Sequence, residues 1–114
     1  MHEVLDEAKK QDAVTIAPHP FSLLDALRED SVYCDLFEAF NSSNVDVYSN
    51  LRAKKFAKEK SLHVVAGSDS HVQSTIGRST NLIYSENKLD SIIAAMKHHK
   101  ITIENTDMYN PKRH

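Results

Sequence analysis

The 114-residue chain has one cysteine, Cys34, so no disulfide can form within it. Cys34 stands inside an apolar run and reads as a packed thiol, the usage of a reducing compartment. Long hydrophobic stretches are missing as well. The longest apolar runs are short strand-like pieces, far below the ~20 residues that span a bilayer. The chain opens Met1-His2-Glu3-Val4-Leu5-Asp6, charged where a signal peptide would carry its apolar core. These absences predict a cytoplasmic protein with no membrane attachment. Charge of one sign is also scarce: 14 basic and 16 acidic side chains leave a formal net charge of −2. They are interspersed rather than gathered into blocks, which is not the footprint of a nucleic-acid surface. No internal repeat and no low-complexity segment occurs. At this length one modest domain, residues 1–114, is expected, with part of its core completed by something else.

What is present is an alternation of helix-like and strand-like segments. Residues 2–11 are rich in helix formers, with Val4, Leu5 and Ala8 as a short apolar stripe and no convincing cap. Ala13 to Ala17 reads as a buried strand, and Pro20 biases His19 toward extended geometry. Ser22 is placed to cap a helix over Leu23 to Arg28, with Leu23, Leu24 and Leu27 on one face. Cys34 to Phe40 follows as the second strand and stops in Asn41-Ser42-Ser43-Asn44, a turn-rich stretch. Asp46 then caps a helix running to about Lys60, whose Leu51, Ala53, Phe56 and Ala57 are expected to face the sheet. Leu62 to Ala66 is the third strand, Asn81 to Tyr84 the fourth, and Ile101 to Glu104 a short fifth. A helix over Lys88 to His99, with Leu89, Ile92, Ile93 and Met96 as its apolar face, separates the last two. Residues 105–114 read as a loose tail. The alternation predicts an α/β fold of parallel strands joined by crossover helices.

Parallel sheets bind ligands at the carboxyl ends of their strands, and two segments stand there. One is Ala17-Pro18-His19-Pro20; the other is Gly67-Ser68-Asp69-Ser70-His71. In an extended segment residues i and i+2 point to one side, so Asp69 and His71 are expected to converge, and His19 can supply a third donor. Two imidazoles and a carboxylate form an open set suited to Zn, Fe or Mn. Each residue alone has a plainer reading: His19 ends a strand and bonds a carbonyl, Asp69 caps a turn near Ser70. As a set on one edge, the metal reading is preferred. Glu38 lies in an apolar strand, where a carboxylate needs a partner; a site-facing acid and a partnered structural acid remain equal alternatives. Gly67 is expected to permit a backbone conformation or a close approach that a side chain would block. His63, at a strand start on the opposite edge, reads as structural, and His98 and His99 suit a helix carboxyl terminus.

Pro18-His19-Pro20, then a strand holding Glu38 and ending in Asn41, then Ala66-Gly67-Ser68-Asp69-Ser70-His71 with Ile76-Gly77, resembles the C-terminal half of a PHP domain. This is the polymerase and histidinol phosphatase superfamily of metal-dependent phosphoesterases. The resemblance implies a partial (β/α)7 barrel of distorted type, with two or three divalent ions, Zn, Mn or Fe, at the carboxyl ends of its strands. It implies His19, Asp69 and His71 as metal ligands, with Asp69 and His71 catalytic and Glu38 and Asn41 in a supporting place beside them. PHP domains begin with a His-x-His pair and further ligands in their N-terminal half, and no His-x-His occurs here. The chain thus matches about half of a barrel that takes ~200 residues or more, and either a missing N-terminal half or a second copy is expected to complete it.

In phosphoester hydrolysis such ions neutralise charge on the phosphoryl oxygens and lower the pKa of a bound water. Asp69 is suited to bridge ions or orient that water, His19 and His71 to hold the ion as neutral donors. Arg78, in a Gly-containing loop, is a candidate clamp for a substrate phosphate. The substrate class is a small phosphorylated metabolite, a nucleotide or an oligonucleotide end. The rival reading is a non-catalytic assembly or partner-binding module with open sheet edges; a mononuclear iron site is a third.

Overall fold

The computed structural model describes residues 1–23, 26–44 and 46–107. Helix α1 (His2–Lys10) leads into β1 (Ile16–Ala17), and a 3₁₀ turn over Arg28–Tyr33 leads into β2 (Leu36–Asn41). Helix α2 (Val47–Lys60) and β3 (Val64–Gly67) follow, then a 3₁₀ turn over Gln73–Thr75, β4 (Ser79–Ile83), α3 (Leu89–Lys97) and β5 (Ile101–Thr106). Strands β1, β2 and β3 form a parallel sheet in that order. The fold is mixed α/β, and among the described residues no closed barrel is formed. Nor is any helix among them long and apolar enough to cross a membrane.

Helix α2 shows how the local rules build the sheet's cover. Asp46 caps it by accepting the Ser49 amide at 2.9 Å, and Ser61 ends it in a left-handed conformation. Its inward stripe is Asn50, Ala53 and Ala57, spaced i, i+3, i+7. Leu51, expected on that stripe, is instead 60% exposed, because the 100° step from the buried Asn50 carries it outward. Ala53 and Ala57 meet Ala17, Phe21, Phe37 and Ala39 in the main core, with Leu27, Cys34, Phe56, Leu62 and Val64 packed against it. Phe56 sits edge-on to Phe21 with ring centroids 5.1 Å apart. A second cluster, Leu36, Val65 and Ile101 with Val14 and Met96, lies apart from this core.

Several expectations are corrected. The fourth and fifth strands are antiparallel, with Ile83 paired to Ile101 and Ser79 to Thr106. Helix α3 leaves and returns at the same end of the pair, where the Tyr84 amide bonds the Lys100 carbonyl, so it decorates a hairpin instead of crossing between parallel strands. Leu89, expected on the apolar face of α3, is 72% exposed; Ala95 is the buried residue of that helix. Leu23, Ala26 and Leu27 are not helical, and the Ser22 amide bonds the His19 carbonyl in a turn rather than starting a helix; Leu24 and Asp25, also in that expected helix, lie outside the described residues. The first strand is shorter than expected because Asp35 accepts the Thr15 amide at 2.8 Å and diverts it from the ladder. Strand β5 takes in Asn105 and Thr106, so the expected tail begins later, and its residues 108–114 lie outside the described residues.

One side chain joins the two sheets. Asn81 on β4 accepts the Ala66 amide at 2.9 Å and donates to the Ala66 carbonyl at 2.7 Å, serving β3 as a surrogate peptide group. At the opposite end of β3, His63 Nε2 meets the Ile101 carbonyl at 2.8 Å and its ring stacks on His99, in line with a structural role.

Candidate metal centre

The parallel register sets the rim. Asn41 at the end of β2 is paired with Gly67 at the end of β3, and β1 ends at Ala17, two residues before His19. Three chain segments therefore arrive at one edge carrying His19, Glu38 with Asn41, and Asp69. This is the carboxyl edge where ligands bind in such sheets.

His19 is half-buried and has φ of 29°, a left-handed conformation unusual for a residue with a side chain. Its amide donates to Glu38 Oε1 at 2.8 Å. Its Nδ1 is buried and has no hydrogen-bond partner among the described residues. Glu38 Oε1 also accepts Asn41 Nδ2 at 2.7 Å, and the same Nδ2 reaches Asp69 Oδ2 at 3.2 Å. One amide thus ties two carboxylates together. Burial pushes the Glu38 carboxyl above its ordinary pKa; the His19 amide, the Asn41 side chain and the His19 ring counter this, while the nearby Asp69 adds to it.

Asn41 itself is immobilised from both sides. Its backbone amide donates to Asn50 Oδ1 at 2.9 Å, and its carbonyl accepts Asn50 Nδ2 at 3.0 Å. Asn41 Oδ1 takes the Ser43 amide at 2.9 Å. Ser43 Oγ in turn donates to the Ser68 carbonyl and, at 3.2 Å, to the Asp69 carbonyl, pinning the segment after β3. The buried Asn50 was not singled out by the sequence argument. Its signal is an amide at an inward position of a helix whose other buried residues, Ser49, Ala53 and Ala57, are all small.

Asp69 is exposed and has φ of 50°, so the chain after Gly67 is not extended and strand alternation does not govern where Asp69 and His71 point. His71 is exposed, and its Nδ1 meets the Asp69 carbonyl at 2.8 Å. A carbonyl only accepts, so Nδ1 carries a proton in this contact, the arrangement that in a neutral ring leaves Nε2 as the metal-binding nitrogen. Among the described residues no three His, Cys, Asp or Glu side chains gather closely enough to hold an ion. The structure brings His19, Glu38, Asn41 and Asp69 into one network and leaves His71 outside it, joined only through the Asp69 backbone. Arg78, the candidate phosphate clamp, directs Nη1 to Asp107 at 3.0 Å.

Gly67 has the role expected of it, close approach. A Cβ at this position would collide with Glu38 Oε2.

Two imidazoles and a carboxylate are donor types that bind transition-metal ions, but here Asp69 is linked to the His19 backbone through Glu38 and Asn41, and among the described residues the three do not gather into a metal site. Residues 47–101 match the family model PHP_C, described as PHP-associated. That stretch contains Asp69, His71 and Arg78, while His19, Glu38 and Asn41 precede it. The chain is also similar to an uncharacterized protein of Methanocaldococcus jannaschii, 28% identical over 122 aligned positions covering 98% of this chain. It spans 45% of that relative's length. Over residues 47–101 the chain is therefore similar to the PHP-associated family, consistent with a PHP-superfamily C-terminal region.

Proposed function

We propose that the chain supplies the C-terminal part of a metal-dependent phosphoesterase of PHP type, its parallel sheet forming a portion of a (β/α)7 barrel. The observation that carries this reading is His19, whose Nδ1 is buried with no partner among the described residues and whose backbone amide belongs to one hydrogen-bonded network with Asp69. An unsatisfied buried polar atom costs about 1–3 kcal/mol, and a bound ion or an ordered water would satisfy it. His19, Asp69 and His71 are the proposed ligands of Zn, Mn or Fe, two or three ions in the complete domain. Such ions would lower the pKa of a bound water and neutralise phosphoryl charge. Asp69 would orient that water, His71 would supply a donor nitrogen, and Arg78, which pairs with Asp107 in this structure, would have to exchange that partner to meet the phosphate of a small metabolite or nucleotide. The remaining ligands come from a missing N-terminal half or a second copy, in the cytoplasm.

The test is phosphatase activity of the longer parent protein with Mn²⁺ or Zn²⁺, before and after Asp69→Ala and His19→Ala. Either substitution is expected to lower kcat by about a hundredfold or more, in line with removing electrostatic support from a developing charge. Full activity in both variants would reject the reading.

A further inference from the structure

We propose that Glu38 is the positioning residue of this rim: a single carboxylate oxygen, gripped by the His19 amide and the Asn41 side chain, holds His19 and Asp69 as a fixed pair. The inference rests on the metal-centre reading and assigns Glu38 no bond to the ion.

Five features carry it. His19 stands at φ 29°, a conformation that a side-chain-bearing residue keeps only when its surroundings impose it. The imposing contact is the 2.8 Å bond from its amide to Glu38 Oε1, helped by the turn that closes from the Ser22 amide to the His19 carbonyl. Glu38 Oε1 accepts the Asn41 amide at 2.7 Å as well, so two donors occupy that oxygen and bonds of this charge-assisted kind are the stronger ones. Asn41 then carries the linkage on to Asp69. Finally, β3 ends in glycine where any side chain would displace the Glu38 carboxylate. A carboxylate in a mostly buried strand is costly; here its cost goes into fixing the backbone of one donor residue relative to the carboxylate of another.

The distinction between positioning and ligation is open to measurement. Glu38→Gln retains an Oε1 that can accept both donors, whereas Glu38→Ala removes it. Gly67→Ala leaves every polar group in place and only pushes the carboxylate aside. Binding of Co²⁺ alone to the 114-residue chain, by calorimetry and by the cobalt d–d spectrum, is read together with hydrogen exchange of the His19 amide in the metal-free protein. Glu38→Gln is expected to bind cobalt within about threefold of wild type with an unchanged spectrum. Glu38→Ala and Gly67→Ala are expected to bind about tenfold or more weakly, as losses of supporting hydrogen bonds do, with faster His19 amide exchange. The proposal is overturned if Glu38→Gln loses as much as Glu38→Ala, which would make Glu38 a ligand. It is equally overturned if Glu38→Ala and Gly67→Ala leave the His19 amide as protected as in wild type, and this second readout needs no metal. Should His19→Ala and Asp69→Ala bind cobalt as tightly as wild type, the metal-centre reading fails instead, and amide exchange alone then decides the role of Glu38. If Glu38→Ala does not fold, Gly67→Ala gives the answer.

Discussion

At Glu38 burial and charge are in conflict. Its carboxyl pKa is raised because burial disfavours the ionised form more than its hydrogen bonds favour it. The folded chain therefore holds this proton to higher pH than the unfolded chain does, and stability falls as pH rises from the ordinary glutamate value of about 4.3 through the raised folded value. Glu38→Gln should flatten that part of the stability profile of the metal-free chain, measured by urea unfolding at a series of pH values. An unchanged slope would mean Glu38 is ionised in the folded chain without penalty. Sequence reasoning could say that a carboxylate in Cys34-Asp35-Leu36-Phe37-Glu38-Ala39-Phe40 needs a partner. It could not say that the partner was a backbone amide, because the left-handed turn at His19 that aims this amide has no signature in Pro18-His19-Pro20.

At the scale of elements, two asparagines do work that strands and helices leave undone. Asn50 gives α2 a hydrogen-bonded hold on the last residue of β2, and Asn81 gives β4 a hold on β3. Replacing Asn50 by Ala strands the amide of Asn41, a residue only 1% exposed, while the Asn41 carbonyl keeps the Asn44 amide at 3.3 Å, and should cost about 1–3 kcal/mol. Chemical denaturation measures this, and a loss under about 1 kcal/mol would show that water replaces the amide at no cost. Much of the element order was legible beforehand: the Asp46 cap, the stop after Asn41 and the strand running into Gly67 all follow from local chemistry. The antiparallel pairing of β4 and β5 was not. A helix between two strands reads the same whether the chain crosses over or returns, and only the tertiary contacts of β5 with β3 decide.

Taken whole, the molecule leaves apolar surface uncovered. Helix α1 buries none of its residues, with Val4 70% exposed, and the outer face of α2 shows Val47, Tyr48 and Leu51 at 57%, 74% and 60%. A groove of about 420 Å³ between α2 and β5 is lined by Ala39, Phe40, Val47, Leu51, Val64 and Ile103 among others. Such surface favours association with a second copy or with the rest of a longer protein. Sedimentation of the 114-residue chain should give a dimer, or a monomer that shifts to a complex when an N-terminal fragment of the parent protein is added. A monomer indifferent to that fragment would count against any partner. The rim was legible in the sequence as a set of residues and not as a closed cluster, since three strand ends can be placed on one edge by topology while the aim of each side chain depends on backbone turns.

The left-handed backbone at both His19 and Asp69 has an energetic cost. Non-glycine residues in that region forfeit of the order of 1–3 kcal/mol each, and here two of them occupy the same lip of the sheet. Glycine at either position would be gentler on the main chain, so the fold gives up robustness where it displays its chemical groups.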